Sequence, residues 1–559
     1  MFSSINRMKT EYLQKYLDLF PGQEPTTGKT SSESAGIENS LLSMVGKAID
    51  SVDSLKDERH SPHLGGEIKK VDYYKLRNAA VIPLLGLPFG QLGELFSQWA
   101  LGHPFQTEFY FTNAIPLSTK PALAANLLGA YLNSNPIFDA YGPAAASAEI
   151  EVVAMISRLV GYNEKKSIGY FTYGGTGGND AALRIGIEKA IPSSKENGLL
   201  QNVYVLSNEL AHFSIDSVAA DAGIGKIKNI LVRSNQDSSM DINDLEKKMR
   251  LIFERKGEIA VIYATGGTTD AFGIDEVSEI RRVRDRLSEE YGKRYLPHIH
   301  ADLAMGGFFS VFRDYDFENN PLGIEEKALA SLHKIKERLS QTKDADSVIF
   351  DFHKLGYTPY LNSLFITKEA TDLRNFTKDS PYMFTNGEGE YHTDYTKECS
   401  RIFAALPAKV NLLLLGIEGY QVILGNLIER AEQLKEGLAT IRGVGVLNQI
   451  TPSPTVLFRF YRNSKEREEE FSGKSTEEEV KLRNTHMEEV MKRFRDNKKR
   501  FFFGETKRYR NFSVADQKNR VPVYALKAFM VSPYTTPETI LKVIEFIKDE
   551  WVIFSKKIS

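Results

Sequence analysis

"SVIFDFHKLGYTPY", residues 347–360, opens as a buried strand and closes as something else. Val348, Ile349 and Phe350 suit the interior of a sheet. Asp351, His353 and Lys354 do not, unless a ligand meets them where the strand runs out. A lysine at a strand end is ordinarily a solvated surface residue. In a desolvated pocket it loses proton affinity and becomes an amine nucleophile able to form a Schiff base. The neighbouring strand ends decide between the two.

Upstream, "SIGYFTYGG" (167–175), "NVYVLSN" (202–208), "GEIAVIYATGG" (257–267) and "PHIHAD" (297–302) read as strands. Helical patterns follow the first three. Leu183, Ile187 and Ala190 share one face; so do Ile215, Val218, Ala219 and Ala222, and then Val277, Ile280 and Leu287. Strands alternating with helices predict right-handed crossovers and a mostly parallel sheet, with ligands at the carboxyl ends of its strands. Those ends are Gly174-Gly175, Ser207-Asn208, Gly266-Gly267, Asp302 and Asp351. Each alone is consistent with a turn. Together they crowd polar groups along one sheet edge, as a ligand site does.

Beyond residue 405 the pattern shifts to a helical run at 408–441 and strands at 443–448 and 455–460. A charge-dense stretch at 464–500 is expected as a solvated helix and loop, followed by a strand near 521–532. The last helix has a readable start, with Thr536 as cap, then Pro537 and Glu538. Residues 1–65 are polar, and "PGQEPTTGKTSSESAG" (21–36) reads as a loose arm. "LGHPFQTEFYF" (101–111) reads as a segment draped over something else. The expected division is an N-terminal helical segment over 1–120, a large α/β domain over 121–405 and a smaller α+β domain over 406–559.

Bulk composition is that of a soluble globular chain: 559 residues, 42% hydrophobic, 26% charged, net charge -2. That balance gives no support to a nucleic-acid partner. The single cysteine, Cys399, excludes an internal disulfide and suits a reducing compartment. Charges run throughout "MFSSINRMKTEYLQKYLDLF", unlike a signal peptide, and "VNLLLLGI" (410–417) is too short to span a bilayer. A cytoplasmic protein without a membrane role is expected.

The other strand ends supply what a Schiff-base cofactor needs. Asp302, among small residues, is a carboxylate that would require a cationic partner if buried, and the pyridinium nitrogen of pyridoxal phosphate is one; a loop or cap aspartate is the plainer reading. "YGGTGGND" (173–180) joins a strand to a helix start, where backbone amides favour an anion such as phosphate. It lacks the Gly-Lys-Ser/Thr ending of a Walker loop. His212 sits at a strand-to-helix junction, placed either to stack on an aromatic ring or to act as a cap. Thr268 and Thr269 offer hydroxyls to a cofactor, or to their own backbone.

In order and context these segments resemble the group II pyridoxal-phosphate-dependent amino acid decarboxylases. "YGGTGGNDAAL" looks like the family's phosphate loop and "NELAHFSIDSVAADAGIG" like its ring-stacking histidine segment. "ATGGTTDAFGID" looks like its Gly-Thr-Thr segment, "HADLAMGGF" like its His-x-Asp segment and "DFHKLGYTPY" like its lysine segment. Flanking stretches at 127–153 and 398–420 are similar too. The His-Lys-x-Gly-Tyr-x-Pro-Tyr run is nearest to bacterial tyrosine decarboxylases. Departures are Phe352 for the usual proline, Gly177 and Gly178 where serines are common, Leu303 for an alanine, and Ser363 in a region richer in glycine in relatives.

The resemblance implies the aspartate-aminotransferase-like fold of type I. It implies pyridoxal phosphate on Lys354, with Asp302 at the ring nitrogen and His212 stacked on the ring. Further cofactor contacts are implied for Thr176, Gly177, Gly178, Asn179, Thr268, Thr269, Ala304 and His353. A tyrosine of the segment 380–401 is the expected proton donor, with Tyr391 favoured and Tyr395 and Tyr360 behind it. Arg401 is expected either to clamp a substrate side-chain carboxylate or to form a structural ion pair, and Tyr360 to lie near the substrate. The implied reaction is decarboxylation of an L-amino acid, tyrosine favoured, by a homodimer with sites at the interface and no metal. Alternatives are a glutamate or aspartate decarboxylase, another carbon–carbon lyase on the same cofactor, or a non-catalytic homologue.

Overall fold

The computed structural model describes residues 41–558, apart from 378–394, 510–520 and positions 58, 67, 69, 138, 193, 200, 201 and 499. The chain divides at Phe105/Gln106 into two compact units. In the first, a helix over Leu41–Asp53 packs on another over Leu92–Ala100. Between them a short helix, Tyr73–Ala79, starts where Asp72 accepts from the Lys75 amide at 3.0 Å.

The second unit holds two sheets. Its strands are β1 (Tyr110–Phe111), β2 (Ile168–Thr172), β3 (Val203–Asn208), β4 (Asn229–Val232), β5 (Glu258–Thr265), β6 (His298–Asp302), β7 (Ser347–Asp351), β8 (Ser363–Thr367), β9 (Val444–Val446), β10 (Thr455–Phe460), β11 (Phe502–Tyr509) and β12 (Val523–Phe529). The large sheet runs β2-β8-β7-β6-β5-β3-β4. Its pairings are parallel except at β8, which runs against both β2 and β7. The near-continuous apolar run of β5 is buried along its length, as a parallel strand covered on both faces must be. This is the expected α/β architecture with a mostly parallel sheet.

A helix over Gly174–Ala190 crosses the back of β5 to β8. It lies very close to the sheet: a Cβ at Gly178 would stand 2.4 Å from Ile349 Cδ1. That contact fixes the helix start against the strand that leads to Lys354.

The small sheet runs β1-β11-β12-β10-β9 and is antiparallel except for β1 on β11. The end of the segment read as draped, β1, pairs here, with Phe111 stacked on Phe503 at 5.6 Å. The stretch 464–500 is more than a solvated helix and loop. It forms two helices, Ser464–Phe471 and Glu477–Asp496, and the second opens with a capping box of Thr476 and Glu479. Val480, Met487, Val490, Met491 and Phe494 bury one of its faces, and Glu470 is buried between Arg459 and Arg483. The last helix starts as expected, the Thr539 amide donating to Thr536 Oγ1 at 3.2 Å.

A single helix over Ala405–Ala439, with a break at Gly416, follows the large sheet and packs on the helices Lys120–Leu132 and Pro143–Val160. By length and composition it is apolar enough to cross a membrane, but Leu424, Leu427, Ile428, Leu434 and Leu438 are buried in the protein core. That core is continuous from the large sheet to the small one.

Candidate active site

Register brings the polar strand ends side by side. Asp302 pairs with Thr265 on β5, and Asp351 pairs with Ser363 on β8, which also pairs with Thr172 on β2. After β7 the chain turns tightly, the Lys354 amide donating to the Asp351 carbonyl at 3.1 Å. The turn folds the lysine back, so that Nζ lies 2.9 Å from Asp351 Oδ2; the carboxylate is buried and the lysine side chain is 19% exposed. The amine therefore does not project into bulk water. Ser363 Oγ donates to Asp351 Oδ1 at 2.6 Å. Burial works to raise the Asp351 pKa, but Lys354, His353 and the Ser363 hydroxyl together hold it below the ordinary carboxylate value.

Asp302 is buried as well. Its Oδ1 accepts from the Ala304 amide at 3.1 Å and its Oδ2 from Asn179 Nδ2 at 3.1 Å. Asn179 Nδ2 also donates to Ser214 Oγ at 3.1 Å, and that hydroxyl lies 2.8 Å from His212 Nδ1. Burial lowers the His212 pKa, and Lys354 adds to the effect against the opposing pull of Asp302 and Asp351. Those three charged groups thus lie within electrostatic reach of one imidazole.

Beside them starts the helix Gly174–Ala190. Gly174 has φ +78°, and no side chain caps the helix. A Cβ at Gly175 would stand 3.2 Å from Asp351 Oδ1, so the backbone passes directly over that carboxylate. The first-turn amides are left for a ligand. Thr176 is exposed there. Gly177 and Gly178 have a packing reason to be glycine: Cβ atoms there would approach Thr172 Cβ to 2.9 Å and Ile349 Cδ1 to 2.4 Å.

Other expected site residues have different surroundings. The Thr268 hydroxyl accepts from the Gly273 amide at 2.9 Å, closing its own turn, with Thr269 half-buried next to it. His353 faces the β7–β8 connection, Nδ1 lying 2.9 Å from the Asn362 carbonyl oxygen and the ring 4.1 Å from that of Tyr360. Tyr360 is half exposed and donates through its hydroxyl to the Ala114 carbonyl at 3.2 Å. Tyr395 is buried edge-on against Tyr170. Tyr391 lies outside the described residues. Arg401 lies in a buried ion pair, one of the two arrangements expected for it. It makes two hydrogen bonds to the buried Glu149, at 2.9 and 2.7 Å, and its guanidinium is committed to that pair rather than to a substrate carboxylate.

Sequence reasoning placed Asp351 at the ligand edge without giving it a role, noted Ser363 only as a departure, and did not single out Ser214. Ser214, two residues beyond His212 at the first position of a helix, carried a usable signal. Among the described residues no cluster suited to a metal ion occurs.

The residues fit pyridoxal phosphate on three counts. An uncapped, glycine-led helix start suits the phosphate, a buried carboxylate held by Asn179 suits the ring nitrogen, and an amine is held at the same sheet edge.

Comparison with known proteins agrees. The pyridoxal-dependent decarboxylase conserved domain matches residues 103–325. The chain is 24% identical to an L-2,4-diaminobutyrate decarboxylase of Acinetobacter baumannii over 62% of its own length and 65% of the relative's. It is 28% identical to an L-tyrosine decarboxylase of Enterococcus faecium over 41% and 39%. The matches thus span less than two thirds of these relatives. In fold it is similar to mouse CSAD in apo form, with a TM-score of 0.73 at 17% identity over 92% of this chain and 98% of that one. It is likewise similar to Oryza sativa TDC with PLP and tryptamine, with a TM-score of 0.74 at 16% identity over 92% and 98%. The chain thus carries a pyridoxal-dependent decarboxylase conserved domain over residues 103–325 and is similar in sequence and in fold to pyridoxal-phosphate-dependent decarboxylases.

Proposed function

We propose that this protein is a pyridoxal-phosphate-dependent decarboxylase that converts an L-amino acid to its amine and carbon dioxide. The observation that carries the proposal is the Lys354 amine held 2.9 Å from buried Asp351, on the same sheet edge as the Asn179–Asp302 pair. When bound, pyridoxal phosphate supplies the electron sink for the pair of electrons left as the carboxylate departs. Lys354 would hold the cofactor. Asp302 would keep a proton on its ring nitrogen. The first-turn amides from Gly175 onward would take its phosphate, with the Thr176 hydroxyl beside them. His212 would face the ring. The substrate loses carbon dioxide and gains one proton at Cα, so a donor must reach that atom; Tyr391 is the proposed one.

For the substrate we favour an aromatic L-amino acid such as tyrosine. The commitment of Arg401 to Glu149 supports this over an acidic substrate, because it occupies the cation that a side-chain carboxylate would need. A second reading, 2,4-diaminobutyrate, is favoured by two relatives that carry that name. The proposed assembly is a cytoplasmic homodimer. It is supported by apolar side chains left exposed on adjacent helices of the second unit: Leu123, Leu127 and Leu128 on one, Leu413, Leu414 and Ile417 on the other.

A panel of L-amino acids, scored for released carbon dioxide and for the matching amine, tests the function. Stoichiometric amine and carbon dioxide from tyrosine is the expected result. Aldehyde with ammonia and peroxide, or no product from any amino acid by a cofactor-loaded protein, overturns it.

A further inference from the structure

We infer that Asn179 and Ser214 are positioning residues that fix the tautomer of His212, leaving its one ring proton on Nε2. Direction along the hydrogen-bonded row carries the argument. As a carboxylate, Asp302 only accepts, so the group that Asn179 turns toward Oδ2 must be its amide NH2, 3.1 Å away. The reverse orientation would set two oxygens against each other. The second hydrogen of that NH2 points at Ser214 Oγ, also at 3.1 Å. With Oγ accepting there, the Ser214 hydroxyl hydrogen is directed to His212 Nδ1 at 2.8 Å. The Ser214 backbone amide donates to the same nitrogen at 3.3 Å. An Nδ1 that receives two donors carries no proton of its own.

The arrangement has a cost that shows its purpose. Asn179 Oδ1 is buried and has no hydrogen-bond partner, so the amide is turned to serve its two acceptors at the expense of its own oxygen. Ser214 and Asn179 are both buried, so water does not substitute for either. The charged groups facing the imidazole are Asp302, Asp351 and Lys354. Two of them favour imidazolium, and the two donors on Nδ1 oppose it, because a protonated Nδ1 would forfeit both bonds. His212 therefore meets its ligand as a neutral ring that donates through Nε2. The consequence for catalysis rests on the decarboxylase reading; the tautomer is a property of the bare chain.

Nitrogen NMR of protein labelled with [15N]histidine tests this, first without cofactor and then with it, using His212→Gln to identify the signals. The expected result is an Nε2-protonated, Nδ1-bare ring at neutral pH. Ser214→Ala and Asn179→Ala should each raise the ring's titration midpoint by about one pH unit, roughly tenfold in proton affinity, and Ser214→Thr should restore it. An Nδ1-protonated ring in the unaltered protein overturns the inference, as does a midpoint that moves in neither alanine variant. Cofactor binding is read separately by visible absorbance. Its failure beside an intact Nε2–H signal would sink the proposed function and leave the relay standing.

Discussion

Arg401 and Glu149 meet as a buried two-bonded ion pair, and the same carboxylate accepts the Phe171 amide at 2.9 Å. One pair thus ties the segment just ahead of the helix Ala405–Ala439 to the helix Pro143–Val160 and to β2. Removing one partner leaves the other charge uncompensated in the interior. Arg401→Ala is expected to cost about 3–5 kcal/mol, read as a lowered urea midpoint. Arg401→Lys should recover only part of it, since an ammonium does not reproduce the fork. A variant that kept its stability but changed substrate preference would return Arg401 to the role of substrate clamp.

Asp351 is held below the ordinary carboxylate range although burial acts to raise it. A depressed folded-state pKa contributes stability that is present above the unfolded value and lost as pH falls through the folded one. Acid unfolding should therefore include a component below the usual aspartate range. Asp351→Asn should remove that component and make the curve of stability against pH flatter on the acid side. An unchanged acid limb would show that the Lys354–Asp351 contact carries no net stability.

Much of the large sheet is legible because β2, β3, β5 and β7 are largely apolar runs that end in polar residues, and the short β6 ends in Asp302. β8 returns antiparallel within a dozen residues of β7, without an intervening helix, so strand–helix alternation does not announce it. β4 has four residues and β1 two, too few to show a period. In 464–500 the density of charge hides the stripe of Val480, Met487, Val490, Met491 and Phe494. Lys354, Asp302 and His212 could be singled out from local chemistry. Arg401 could not be settled that way, since its partner lies 252 positions away. Nor could the Asn179–Asp302 contact, which spans 123.

Lys354→Ala should abolish carbon dioxide release and the visible absorbance of bound cofactor together. Asp302→Ala should leave cofactor bound but slow the reaction on the order of a thousandfold, about 4 kcal/mol of transition-state stabilisation. Single-turnover rates with a saturating substrate separate the two variants. Full activity in either would remove the basis for reading this sheet edge as catalytic.

Asp275 tests the site's support from beneath. It is buried behind the β5 end and accepts from the Thr265 amide at 2.7 Å, the Met240 amide at 2.6 Å and Asn208 Nδ2 at 3.0 Å. Burial nonetheless pushes its pKa up from 3.8 to about 6, against those three donors. A raised folded-state pKa gives stability that is complete below the unfolded value and lost as pH rises through the folded one. A rise of roughly two units corresponds to about 3 kcal/mol lost between pH 4 and 7. Asp275→Asn resembles the neutral acid that prevails at pH 5, with an NH2 in place of its O–H, so it should change stability there by no more than about 1 kcal/mol. Its own profile from pH 4 to 7 should be the flatter of the two, because the titrating group is gone. Urea midpoints for both proteins at pH 5 and 7 give the comparison. Parallel profiles would mean that Asp275 titrates alike in the folded and unfolded chain, and that its three donors offset its burial in full.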